Sequence, residues 1–189
     1  PFTEKEESEA FKKKKPREKI VSYFLQTLSS YRDIIEECSE KFEIPSPIIE
    51  GVIVVESGAD RYARAKGSSA KGLMQTIDST FKEARESLKS QGIDIKDDPF
   101  DPRASIYAGT WYLNYVFERA RKDNHTNLDR KKIDDWQEPA KYYYAGPGDG
   151  RKREDIIIKY IDGKTIVVDK ATYCQKVMRY AHFLKGKMG

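Results

Sequence analysis

The sequence predicts a mainly α-helical domain that carries one β-hairpin. Three observations support this. Apolar residues recur at three- and four-residue spacing through most of the chain. Helix-start and helix-stop residues punctuate those runs. One Asp-Gly pair, Asp162-Gly163, separates two β-branched runs, the signature of a two-residue hairpin turn. The 189 residues suffice for one domain with a real core, and no internal repeat is visible.

The elements follow in order. Residues 1–19 are charge-dense, with Lys12 to Lys15 running into Pro16, and read as a solvated arm or the polar first turns of a helix. From 19 to 42 the pattern is helical. Ile20, Phe24, Leu25 and Leu28 form its first half, and Tyr31, Ile34, Ile35 and Cys38 its second. A break is expected at Ser29-Ser30. Ser46-Pro47 reads as a helix start, with Ser46 as N-cap and Pro47 at the first helical position. The run from Ile48 to Val55 is conflicted, because β-branched residues favour a strand and Gly51 weakens a helix. The cap before it and Gly58 just past it favour a helix held by burial.

Residues 59–71 form a loop. A helix is expected over 76–90, starting near Thr76, Asp78 or Ser79, and a turn over Asp97 to Pro102. Ile106, Trp111, Leu113, Tyr115, Val116 and Ala120 predict a long buried helix from Arg103 to Arg121. Another runs from Trp136 to Tyr144 and ends at Gly146-Pro147-Gly148. The hairpin strands are Ile156 to Ile161 and Thr165 to Val168, and Tyr173 to Leu184 is the last helix.

Composition narrows the function. Apolar residues make up 38% and charged residues 35% of the chain, and the longest apolar stretch is far too short to span a bilayer. No signal segment is visible. The chain starts at Pro1 rather than Met, so this says little about location. A net charge of +4 favours anionic partners such as nucleic acid, anionic membrane or an anionic wall polymer, without choosing among them. Cys38 and Cys174 have no C-x-x-C spacing, which argues against a cysteine-built zinc site. They are expected as buried free thiols, with a disulfide between them left open for an exported protein. His125 and His182 lack partners at ligand spacing, so histidine metal or triad chemistry is not expected. Neither a metal nor a cofactor is called for.

Three motifs are decoys. Gly163-Lys164-Thr165 resembles a phosphate loop but has Ile158 where the upstream glycine belongs. Asn124-His125-Thr126 is a glycosylation pattern common by chance. Asp94 to Asp101 lacks the glycine and spacing of a calcium loop.

The residue with most chemical promise is Glu56. In a helix over 47–57 it lies four past Val52 and seven past Ile49, on the stripe that faces the core. Burial disfavours a charged carboxylate and raises its pKa, which is what a general acid for glycosidic cleavage needs near neutral pH. The bland reading is a buried glutamate bonded to Arg61 or a backbone amide.

Glu56-Ser57-Gly58, Gly72-Leu73-Met74-Gln75 and Tyr143-Tyr144-Ala145-Gly146-Pro147-Gly148, in that order, resemble the active-site set of the soluble lytic transglycosylase (SLT) family. These are goose-type-lysozyme-like enzymes of glycoside hydrolase family 23 that cut peptidoglycan. Tyr62-Ala63, Asp98 to Pro102, Ile106, Gly109, Tyr112, Leu113 and Thr172-Tyr173 with Val177 and Tyr180 extend the resemblance over most of residues 30–185.

The resemblance implies a lysozyme-like helical domain with a substrate groove. It assigns residues 1–29 to a charged arm and leading helix and 30–189 to the catalytic domain, with a hairpin insertion at about 155–169. It makes Glu56 the single acid/base, cleaving between N-acetylmuramic acid and N-acetylglucosamine to leave a 1,6-anhydro product. Ser57, Tyr62, Met74, Gln75, Tyr143, Tyr144 and Ala145 become substrate-binding candidates, with the Tyr143 hydroxyl expected near Glu56. Each has a plainer reading: Ser57 as a helix-end polar residue, Met74 and Tyr143 as core, Gln75 as a loop-to-helix contact. The partner implied is the peptidoglycan glycan strand, with envelope proteins as further candidates and no nucleic acid. The location implied is periplasmic, cell-envelope or extracellular.

Three departures stand out: Tyr144 and Ser105 each replace a family Asn, and the hairpin at 155–169 is longer than the usual connection. The alternatives are a hydrolytic muramidase, with Asp60 or Asp78 as second carboxylate, and a catalytically silent wall-binding module. A nucleic-acid-binding role through residues 11–19 is more distant.

Overall fold

The computed structural model describes residues 18–124 and 127–187. The charged arm through residue 17, its Lys12 to Lys15 run, and the His125-Thr126 part of the glycosylation pattern lie outside the described residues. Seven α-helices and one hairpin make up the described fold.

Helices α1 (Glu18–Ser29) and α2 (Arg32–Phe42) are split where expected. The hydroxyls of Thr27 and Ser29 donate to the carbonyls of Tyr23 and Gln26, competing with the helical ladder at the break. Helix α3 (Ser46–Ser57) corrects one detail: Pro45 occupies the cap position and Ser46 is already helical, with no side-chain cap bond. Gly58 ends the helix in the left-handed conformation, donating to the Val54 carbonyl at 3.0 Å.

Burial overrides the β-branched propensity here. Ile48, Ile49, Val52, Ile53 and Val54 are all buried, and each fully buried aliphatic side chain contributes about 1.5–3 kcal/mol. Gly51, a weakness in isolation, permits the packing of α3 on the last helix. A Cβ there would stand 2.9 Å from the Val177 carbonyl and 3.3 Å from the Ala181 nitrogen.

Helix α4 spans Asp78–Ser90, and α5 spans Pro102–Asp123, capped by Asp101, which accepts from the Ala104 amide at 3.0 Å. A 3₁₀ turn, Ile133–Trp136, leads into α6 (Gln137–Gly150). Gly146 was expected to end this helix. Instead it kinks it, with φ 76° and ψ 161°, and helical structure resumes through Gly150. Strands β1 (Ile156–Ile161) and β2 (Lys164–Asp169) pair antiparallel, with Ile156 opposite Asp169 and Ile161 opposite Lys164. Positive φ at both Asp162 and Gly163 gives the turn the twist that hairpins need.

Helix α7 (Lys170–Leu184) starts three residues before the expected Tyr173. Its N-cap is Asp169, which accepts from the Thr172 amide at 2.9 Å. Lys170 is fully buried, and its ammonium donates to the carbonyls of Asp149 (3.0 Å), Gly150 (3.4 Å) and Lys152 (2.7 Å). One lysine thus satisfies the end of α6 and fixes the base of the hairpin.

The core is shared among the helices: α3 packs on α7 and α2, α5 packs on α2, α4 and α6, and α6 packs on α7. Both cysteines are buried, and no disulfide joins them. No described helix is long and apolar enough to cross a membrane.

Candidate active site

A cleft of about 360 Å³ opens beside the C-terminal end of α3. Glu56, Gln75, Tyr112, Tyr143 and Tyr144 line it, together with small residues of the loop at 65–70. Glu56 is the only carboxylate among the lining residues. Its Oε1 accepts a 2.6 Å hydrogen bond from the Tyr173 hydroxyl. Burial pushes the Glu56 carboxyl up to about 7, while the Tyr173 bond pulls it the other way. Near neutral pH the group is therefore poised between acid and base.

Tyr173 and Tyr143 are buried, and both phenols are held well above their ordinary range by burial and by the nearby Glu56 charge. They act as neutral donors. The Tyr143 hydroxyl does not bond Glu56 but donates to the Met74 carbonyl at 2.7 Å. Tyr143 lines the cleft with Glu56, and Tyr173 is the phenol that bonds it directly. The sequence reading gave Tyr173 no role, although its position in the closing-helix pattern was the available signal. The Tyr144 ring stacks on Tyr173, with centroids 4.6 Å apart and planes 12° from parallel. Tyr112 packs on Tyr143 at 5.1 Å.

The loop facing α3 is tightly built. Gly72 has φ 77°, and a Cβ there would meet the Pro99 carbonyl oxygen at 2.0 Å, so only glycine fits. Gln75, itself at φ 50°, donates from Nε2 to the carbonyls of Ala63 (3.1 Å) and Gly72 (2.9 Å). Its amide group ties the loop together while its side chain lines the cleft. Ser105 is buried and accepts from the Met74 amide at 3.3 Å, holding the loop from behind. Thr76 also lines the cleft, and its buried hydroxyl has no hydrogen-bond partner among the described residues.

Four candidates lie off the cleft lining. The Met74 side chain is fully buried against Gly109 and Thr110, so packing fixes it and only its backbone reaches the site. The Ser57 hydroxyl donates back to the Ile53 carbonyl at 3.0 Å, a bond within its own helix. Tyr62 is 65% exposed and packs beside Phe100 and the Arg61 guanidinium. Ala145 is half-buried before the Gly146 kink.

Neither candidate second carboxylate lines the cleft. Asp60 accepts from the Tyr62 amide, and Asp78 pairs with Lys71 at 2.7 Å. A larger cavity of about 500 Å³ lies on the α4 side, where Lys71–Asp78 and Arg85–Asp97 pair with one another. No group of three or more potential metal ligands occurs among the described residues.

Comparison with known proteins bears on the family and the fold. Residues 33–157 match the family described as the transglycosylase SLT domain. The chain is 30% identical over 102 residues to a membrane-bound lytic murein transglycosylase E of Buchnera aphidicola, covering 50% of this chain and 46% of that protein. It thus spans about half the length of the curated relative it matches. The fold is similar to the X-ray structure of an inactive mutant of the lytic transglycosylase Slt from Pseudomonas aeruginosa. The TM-score is 0.60 at 22% identity, over 84% of this chain and 24% of that one. The shared architecture is the lysozyme-like helical fold with its single hairpin here.

Proposed function

The chain belongs to the transglycosylase SLT domain family, and on that premise we propose that it is a peptidoglycan lytic transglycosylase with Glu56 as its acid/base. The observation that carries this reading is a lone carboxylate in the cleft, poised near pH 7 and held by a phenol. A two-carboxylate hydrolase places its second carboxylate about 6.5–9.5 Å away to activate water, or about 5–5.5 Å away as a nucleophile, and the cleft lining supplies none.

Protonated Glu56 donates to the oxygen bridging N-acetylmuramic acid and N-acetylglucosamine, and the bond to the muramic anomeric carbon breaks. The resulting carboxylate takes the proton of the muramic 6-hydroxyl, whose oxygen closes onto the same carbon. Glu56 ends protonated, and no water is consumed. Because the nucleophile is part of the substrate, one carboxylate does both proton transfers.

Tyr173 fixes the orientation of Glu56. Gln75 and the neighbouring loop residues offer polar contacts to the sugar substituents, and Tyr144 offers an aromatic face. Residues 30–189 would form the catalytic domain. The substrate would be the glycan strand of murein, as the name of the membrane-bound lytic murein transglycosylase relative suggests, and the place of action would be the cell envelope, in the periplasm or outside the cell.

The test is mass spectrometry of products released from purified peptidoglycan by the wild type and Glu56→Gln. Anhydro-muramoyl ends from the wild type alone are expected. Reducing muramoyl ends would instead establish a hydrolase.

A further inference from the structure

The β-hairpin exposes a face that the catalytic cleft does not use. Strand pairing puts Ile156, Ile158 and Tyr160 of β1 on one face with Thr165, Val167 and Asp169 of β2. On that face Ile156 and Ile158 are each 57% exposed, Tyr160 80% and Val167 55%. The opposite face is tied to the body of the molecule at Lys159, which forms an ion pair with Asp149 on α6, while Ile161 and Ile166 at its outer end are 48% and 42% exposed. A two-stranded hairpin alone is marginal in water, and exposed apolar patches of a few hundred Å² on monomers are often functional.

The place of this face decides what covers it. Asp169, at its inner end, caps α7 by accepting from the Thr172 amide and hydroxyl, one residue before Tyr173 in that helix. Tyr144 lines the cleft and stacks on Tyr173, the phenol that holds Glu56. The hairpin is thus anchored next to the cleft rim at Asp169, and the apolar side chains Val167, Ile158 and Tyr160 extend outward from that anchor. Four side chains fall short of the roughly 800 Å² per partner that a stable protein complex buries. The patch is better suited to extend an existing site than to hold a complex alone.

Resting on the transglycosylase reading, we propose that this hairpin face is an outer substrate subsite, which holds the glycan strand where it leaves the cleft. The apolar C–H faces of successive sugar rings lie against Tyr160, Ile158 and Val167. A strand long enough to reach the hairpin gains these contacts, and a short fragment confined to the cleft does not.

The test is a triple variant, Ile158→Thr, Tyr160→Ser and Val167→Thr, which keeps β-branched residues at two of three positions. Wild type and variant are compared on intact peptidoglycan and on a soluble muramoyl tetrasaccharide, and their pelleting with peptidoglycan is measured. The expected result is about a tenfold loss in kcat/KM and in pelleting affinity on intact peptidoglycan, with tetrasaccharide turnover and thermal unfolding within twofold and 2 °C of wild type. Equal losses on both substrates would mean a structural role and overturn the proposal, as would no loss on either. A wild-type dimer that the variant converts to monomer, with polymer activity kept, would assign the face to a second copy. If the wild type yields no anhydro product from any substrate, the transglycosylase reading fails. Pelleting still decides whether the hairpin binds the strand.

Discussion

Replacing Tyr173 with Phe removes one hydroxyl and leaves the ring stacked on Tyr144. That hydroxyl donates to Glu56 at 2.6 Å and is the favourable contact that offsets burial, which by itself pushes the carboxyl above 7. A hydrogen bond to a charged group contributes about 1.5–3 kcal/mol. At 1.36 kcal/mol per pH unit, and allowing for water in an open cleft, losing it raises the Glu56 pKa by about one unit. The first step uses protonated Glu56, so the wild-type rate falls as pH rises through about 7. In Tyr173→Phe that falling limb moves up to about pH 8. The plateau also drops about tenfold, because the carboxyl is less firmly oriented. The assay is kcat/KM on soluble glycan fragments between pH 4 and 9. A limb that stays near pH 7, or moves down, would refute the claim that this phenol stabilises the Glu56 carboxylate.

Four further substitutions probe the scaffold, the last as a control. Glu50 is 3% exposed, its Oε2 lacks a hydrogen-bond partner among the described residues, and burial raises its carboxyl from 4.5 to about 7, with Arg32 opposing and Glu36 adding. Its folded pKa exceeds its unfolded one, so stability is lost as pH rises from about 4.5 to 7. Glu50→Gln should match the wild type in urea unfolding at pH 4.5 and exceed it by about 1–3 kcal/mol at pH 8. Lys170→Met leaves the carbonyls of Asp149, Gly150 and Lys152 without their shared donor. A loss of about 2–4 kcal/mol is expected in urea unfolding, with faster amide exchange in the hairpin. Gly72→Ala combines a positive φ with a Cβ 2.0 Å from the Pro99 carbonyl. It should cost about 3 kcal/mol or more and disturb the Gln75 loop, while Gly67→Ala, at φ 88° in open space, should cost about 1 kcal/mol.

Much of this was legible from local signals. The three- and four-residue spacing gave the helices, Gly58 ended α3, and Asp162-Gly163 gave the hairpin, because these are short-range properties of the backbone. Propensity alone misread Ile48 to Val55, where β-branched residues are helical because Ile48 to Val54 are buried, and Gly51 fits because α7 passes close by. Motif order singled out Glu56, since the residue types that the chemistry needs lie in sequence. It could not assign the phenols. Tyr143 and Tyr173 are thirty residues apart, and only the kink at Gly146 and the start of α7 at Lys170 decide which hydroxyl reaches Glu56. Met74 shows the same limit: its backbone carbonyl faces the site, but packing against Gly109 turns its side chain into the core. Sequence determines which chemistry is at hand and where helices begin and end. Side-chain direction depends on which surfaces helices bury against each other, and that is settled only when they pack.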